Sequence, residues 1–144
     1  MKITNVEVFP IYPPLAKRYR INPARNGHEH RVAAKVTTDI GITGFGDFDG
    51  SDPPPIETFE PLIDTNPFNY IGSDLNPAVV MAMYDIMGKY LEIPAYKLIG
   101  QKRRDGVSSA AWCWGGPTKE ELADDIIRAT TDGYTIFKIH TNPL

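Results

Sequence analysis

Thr118-Lys119-Glu120-Glu121, followed one helix length later by Gly133-Tyr134-Thr135-Ile136-Phe137-Lys138-Ile139-His140, is the stretch whose reading decides the fold of this 144-residue chain. A threonine with a glutamate three residues on is a capping box, in which the hydroxyl accepts from the third helical N–H while the carboxylate accepts from the N–H of the cap. It predicts a helix with Leu122, Ala123, Ile126, Ile127 and Thr130 on its buried face, ended by Gly133. Tyr134 to His140 reads as a strand after that helix and Val107 to Trp114 as a strand before it. Strand, helix and strand within this length make one right-handed crossover of a parallel sheet.

Upstream the pattern is different. Val6 and Val8 flank Glu7 at period two and Pro13-Pro14 closes the run, so Lys2 to Tyr12 is a first strand. Val32, Ala34, Val36 and Thr38 share one face of the next run. Asp39-Ile40-Gly41 is a turn before Ile42 to Asp47, which completes a β-hairpin. Two irregular loops flank the hairpin, Leu15 to His30 and Phe48 to Pro55, and the first carries Lys17, Arg18, Tyr19, Arg20, Arg25, His28 and His30. Ile56 to Ile71 reads as short helical pieces interrupted by Pro61 and Pro67. Asn76-Pro77 is an N-cap and first-turn pair that opens a helix with Val79, Val80, Met83, Ile86, Met87 and Tyr90 at helical spacing, and Pro94 to Ile99 is a further short helix that Gly100 stops. The polar run Gln101 to Gly106 looks like a domain boundary. The expected architecture is therefore an α+β domain over residues 1–105, followed over 106–144 by the first βαβ unit of an incomplete (β/α) barrel that stops after its second strand.

Composition limits the partners. The chain is 42% hydrophobic and 23% charged, with a formal net charge of −3, so it lacks a general attraction for phosphate backbones or anionic lipid. Neither nucleic acid nor membrane is an expected partner. No segment is long enough to span a bilayer, and the amino terminus moves directly into alternating residues without the apolar run of a secretory signal. One cysteine, Cys113, excludes an internal disulfide framework and points to the cytoplasm.

Lys138 and His140 are two apart and project from one strand face, with Phe137 and Ile139 on the other. In a barrel, apolar Phe137 and Ile139 suit the helix side, which turns Lys138 and His140 toward the mouth at the carboxyl end of the strand, where such enzymes place their chemistry. Spacing alone balances this against an edge strand with a solvated polar face. His28-Glu29-His30 lacks the further ligands a metal site needs, and a solvated loop is the better reading. Cys113 reads as a small buried side chain without a partner base, and of Trp112 and Trp114 one reads as a core residue and the other as bordering the mouth.

The helix Asn76 to Lys89, with its Asp85 and Gly88-Lys89, and the following Ile93-Pro94-Ala95-Tyr96-Lys97-Leu98-Ile99-Gly100 resemble the enolase superfamily in its mandelate racemase and muconate lactonizing branch. So do the hairpin Thr37 to Asp47 and the strand Gly133 to His140, and the three segments occur in the family's order along essentially the whole chain. Two departures are visible: Asp47 stands where the family usually has Glu, and Lys-Ile-His replaces its best-known Lys-x-Lys. The resemblance implies an amino-terminal capping domain and a barrel that removes the proton alpha to a carboxylate. Mg²⁺, held by acidic residues of later strands, offsets the charge that develops on the substrate. It implies Lys138 and His140 as catalytic residues, the first a cation near the substrate carboxylate and the second a general acid or base. A free imidazole titrates near pH ~6.5 and suits that work. It also implies that the two irregular loops close over the barrel mouth, where Arg18, Arg20, Arg25 and His28 would bind an acid sugar, since guanidinium groups hold carboxylates in bidentate fashion. No metal ligand is assigned in this chain, and Asp85 reads as a structural helix carboxylate. The expected activity of the longer protein is acid-sugar dehydration, with racemase, epimerase or lactonizing (cycloisomerase) chemistry as alternatives, in a homo-oligomer. A full barrel takes about 250 residues, so the 144-residue chain alone is expected to be inactive, or to serve as a non-catalytic interaction module.

Overall fold

β1 (Ile3–Ile11), β2 (Arg31–Thr38) and β3 (Thr43–Asp49) form an antiparallel sheet in that order, with Val6 opposite Val36 and Val36 opposite Gly44. The structure, a computed structural model, describes residues 1–14, 28–50, 52–113 and 118–139. β2 alternates along its whole length, burying Val32, Ala34, Val36 and Thr38. The hairpin turns where Gly41 takes a φ of 80°, left-handed backbone that a side chain would strain. Gly41 N donates to Thr38 O at 3.1 Å. Two 3₁₀ helices follow, Ile56–Leu62 and Pro67–Tyr70; Pro67 opens the second as expected, whereas Pro61 lies inside the first and does not interrupt it. The first contributes buried Phe59 and Leu62 to the core. Between them, Asp64 N donates to Ile3 O at 2.9 Å and Ile3 N to Thr65 O at 2.8 Å, so this segment covers the start of the β1 edge.

α1 (Pro77–Tyr90) begins as its sequence predicts, with Asn76 Oδ1 accepting from Ala78 N at 3.0 Å and Pro77 in the first turn. Its buried stripe of Ala78, Val79, Ala82, Met83, Ile86 and Met87 lies on the inner sheet face with Ile3, Val6, Ala34 and Val36. The approach is closest at β3, through glycine. A Cβ on Gly44 would fall inside the radius of Ala82 O and 2.7 Å from Ile86 Cγ1, and one on Gly46 would collide with Ala78 O. Small residues on both sides therefore let two backbones touch. α2 (Tyr96–Ile99) is the expected short helix, stopped at Gly100.

Beyond Gly106 the pairing becomes parallel. β4 (Ala111–Cys113) runs alongside β5 (Phe137–Ile139), and α3 (Lys119–Thr131) connects them. The capping box is formed in full, with Glu121 N donating to Thr118 Oγ1 and Thr118 N to Glu121 Oε2, each at 3.2 Å. Both strands begin later than the sequence pattern predicts, at Ala111 and Phe137, and the expected ends at Trp114 and His140 lie outside the described residues. A two-stranded parallel pair supports only a short ladder. The helix face is also narrower than expected: Leu122, Ile126 and buried Ala129 meet β4 and Phe137, whereas Ala123, Ile127 and Thr130 are exposed, Ile127 by 63%. Apolar spacing marks a stripe wide enough for two neighbours, and the described residues supply one. Among the described residues no helix is long and apolar enough to cross a membrane.

Replacing Gly44 with Ala should destabilise the protein by about 1–3 kcal/mol, the cost of forcing atoms into a packed contact. It should appear as a lower urea midpoint at unchanged slope. A variant within ~0.5 kcal/mol of the parent would show that α1 does not rest on the β3 backbone.

Candidate functional site

The two strands of the parallel pair present opposite faces of different character. Ala111, Cys113 and Phe137 turn toward α3, and Cys113 is only 1% exposed. Trp112 and Lys138 are register partners and lie on the other face. Lys138 Nζ stands 5.4 Å from the Trp112 ring centroid, within cation–π range and worth about 0.5–1 kcal/mol at an exposed position. The structure thus places Lys138 away from the helix. The sequence-predicted partner on that strand, His140, lies outside the described residues, as does Trp114.

At one end of the antiparallel sheet, both irregular loops leave from neighbouring positions, because Ile11, Arg31 and Asp49 share that end. The root of the first loop is held by a bridge between Pro14 and His28, by Glu29 N donating to Pro13 O at 2.8 Å, and by an edge-to-face contact of Tyr12 with His30 at 5.2 Å. Gly50 N donates to His30 O at 3.2 Å, which ties in the root of the second loop. His28 is exposed at this root. Arg18, Arg20 and Arg25 lie outside the described residues. Arg31, at the start of β2, is engaged: its Nε and Nη2 both donate to Asp47 Oδ2, the first at 2.9 Å. Asp47, the residue that departs from the family's Glu, thus pairs across the outer sheet face.

Asp85 has a structural engagement. Its Oδ2 accepts from Phe45 N at 2.9 Å and from Lys89 Nζ at 2.7 Å, and Lys89 Nζ also donates to Thr43 O at 2.7 Å. Phe45 N and Thr43 O belong to the edge of the sheet, so one helix ion pair satisfies both a donor and an acceptor there. Among the described residues, no three His, Cys, Asp or Glu side chains group to hold a metal ion.

No family model matches the chain. It is 28% identical to a D-galactonate dehydratase of Variovorax paradoxus, over 78% of this chain and 37% of that protein. It is 27% identical to an N-succinyl-L-Arg/Lys racemase of Bacillus cereus, over 96% of this chain and 44% of that protein. The crystal structure of that racemase superposes with a TM-score of 0.76 at 25% identity, covering 96% of this chain and 44% of the other. A magnesium-complexed enolase superfamily member from Roseovarius nubinhibens gives a TM-score of 0.76 at 24% identity, over 99% and 45%. The three-stranded antiparallel sheet with its helices matches the amino-terminal capping domain of mandelate racemase and muconate lactonizing type enzymes, and the parallel pair fits part of a barrel. The chain matches the amino-terminal portion of enolase-superfamily proteins and spans less than half the length of these relatives.

The Asp85 clamp can be tested by its two halves. Asp85→Asn keeps an acceptor for Phe45 N and loses the partly exposed ion pair, at a cost of about 0.5 kcal/mol. Asp85→Ala also hands the exposed Phe45 amide to water and should cost about 1 kcal/mol, with faster hydrogen exchange at that amide. Equal stability and equal Phe45 exchange in the two variants would contradict the clamp.

Proposed function

We propose that this chain is the front part of a Mg²⁺-dependent enzyme that removes the proton alpha to a carboxylate, and that its reaction is dehydration of an acid sugar. Residues 1–105 act in this reading as the capping domain and residues 106–144 as the beginning of the barrel. The observation that carries it is the β4–α3–β5 unit, which turns Lys138 to the face opposite the helix. In a barrel that face is the interior. The likeness to a D-galactonate dehydratase supports the acid-sugar substrate.

Lys138 is the cation assigned to the substrate carboxylate, which it draws in and orients. His140 is the group assigned to proton transfer: it takes the alpha proton, or delivers a proton to the departing hydroxyl, so that water leaves and the sum of atoms is unchanged. Arg18, Arg20, Arg25 and His28 are assigned to the hydroxyl-bearing and acidic parts of the substrate. Mg²⁺ would neutralise charge on the substrate carboxylate, from ligands outside this chain. Racemisation or epimerisation is the second reading, favoured by the racemase likeness over 96% of the chain. It begins with the same proton removal.

Screening the longer protein against acid sugars with Mg²⁺ and with a chelator should give turnover only with the metal. His140→Asn should lower kcat by about 10²- to 10⁴-fold with KM little changed, whereas Lys138→Met should raise KM for the carboxylate. Metal-independent turnover, or normal kinetics in both variants, would sink the proposal. The 144-residue chain alone should show no turnover.

A further inference from the structure

Trp112 is not a core residue. It is 43% exposed and sits on the face of β4 that points away from α3, directly paired in the parallel register with Lys138. Its strand neighbours Ala111 and Cys113 are buried on the helix side, and Phe137 on β5 joins them there. The parity of the two strands therefore leaves an indole and an ammonium side by side on one face, with Nζ 5.4 Å from the ring centroid. A lysine has four rotatable side-chain bonds and a compact, mobile charge. An aromatic face beside it narrows where that charge sits, and it does so without occupying the N–H donors that would point at an anion.

We infer that Trp112 is a positioning residue for Lys138, holding its ammonium where a substrate carboxylate is to be received. This rests on the assignment of Lys138 as the carboxylate-binding cation. The contact energy is modest, so the inferred effect is modest as well: loss of the ring converts to about a two- to fivefold weaker hold on the carboxylate. Chemistry at the alpha carbon, carried by other groups, should change less.

Two measurements separate the contact from its use. In the proton NMR spectrum of this chain, the Lys138 ε-methylene should be shifted upfield by the indole ring current. The resonance is assigned by its loss in Lys138→Met. Trp112→Leu should return it to the usual lysine position, and Trp112→Phe, which keeps an aromatic face, should retain part of the shift. In the longer enzyme, Trp112→Leu should raise KM for the acid about two- to fivefold with little change in kcat. Trp112→Phe should restore KM, a rescue that a merely structural loss at β4 would not give. An unshifted ε-methylene in the parent chain overturns the contact. If Lys138→Met raises KM while Trp112→Leu leaves it unchanged, the positioning role is wrong and the assignment of Lys138 stands. If Lys138→Met leaves KM unchanged although the ring-current shift is present, the site assignment fails, and the role inferred for Trp112 fails with it.

Discussion

Gly44 and Gly46 allow the backbone of α1 to lie against β3, and the geometry of the whole antiparallel unit follows from that contact. A side chain at either glycine would meet a carbonyl of the helix. Beside that contact Val79, Met83, Ile86 and Met87 fill the core together with Ile3, Val6 and Val36. The same proximity brings Asp85 and Lys89 within reach of Phe45 N and Thr43 O, so the outer edge of β3 is capped by the helix that packs beside it. Covering an edge in this way removes a template for pairing with another chain. The sheet in turn fixes where the two irregular loops depart, since their roots are the aligned ends of β1, β2 and β3.

The second unit obeys a simpler constraint. A strand has two faces, and α3 can cover one of them. Ala111, Cys113 and Phe137 are small or apolar and take the helix side. Trp112 and Lys138 are left with the other, which in a closed barrel is enclosed and wet enough for chemistry. The alternation that stabilises a three-residue ladder is thus also what aims the lysine. The loops and the strand face belong to different units of the chain, and the proposed reaction requires both.

Much of this was legible because its causes are local. The caps at Asn76 and Thr118, the turn at Gly41 and the start of a 3₁₀ helix at Pro67 are set by residues within a few positions of one another. The period-two pattern of β2 is equally local. What escaped the sequence is set at long range. Nothing local marks Gly44 and Gly46, whose role shows only when Ala78 and Ala82 are placed against them. Ile127 and Ala123 have the spacing of a buried stripe, but burial depends on neighbours beyond α3. Trp112 was a candidate for the core, and only the register, which pairs it with Lys138 on the face away from α3, shows that it is not there. Asp85 was readable as structural, yet its partner Phe45 lies 40 positions away, and Thr43, which accepts from Lys89, lies 46 from that lysine. Of the sequence-predicted site, Lys138 and His28 fall among the described residues, and Arg18, Arg20, Arg25 and His140 lie outside them.

Dehydration, racemisation and epimerisation share one step, removal of the proton alpha to a carboxylate, so the step itself is a more direct test than any product. The longer protein can be incubated in D₂O with a panel of acid sugars and Mg²⁺, and the alpha-proton resonance followed by NMR. The account predicts that this signal is lost from at least one acid sugar, by exchange or by turnover. It also predicts that the loss stops with a chelator and in the His140→Asn variant. An alpha proton that persists in every acid offered, or that disappears equally fast without metal and without His140, would contradict it.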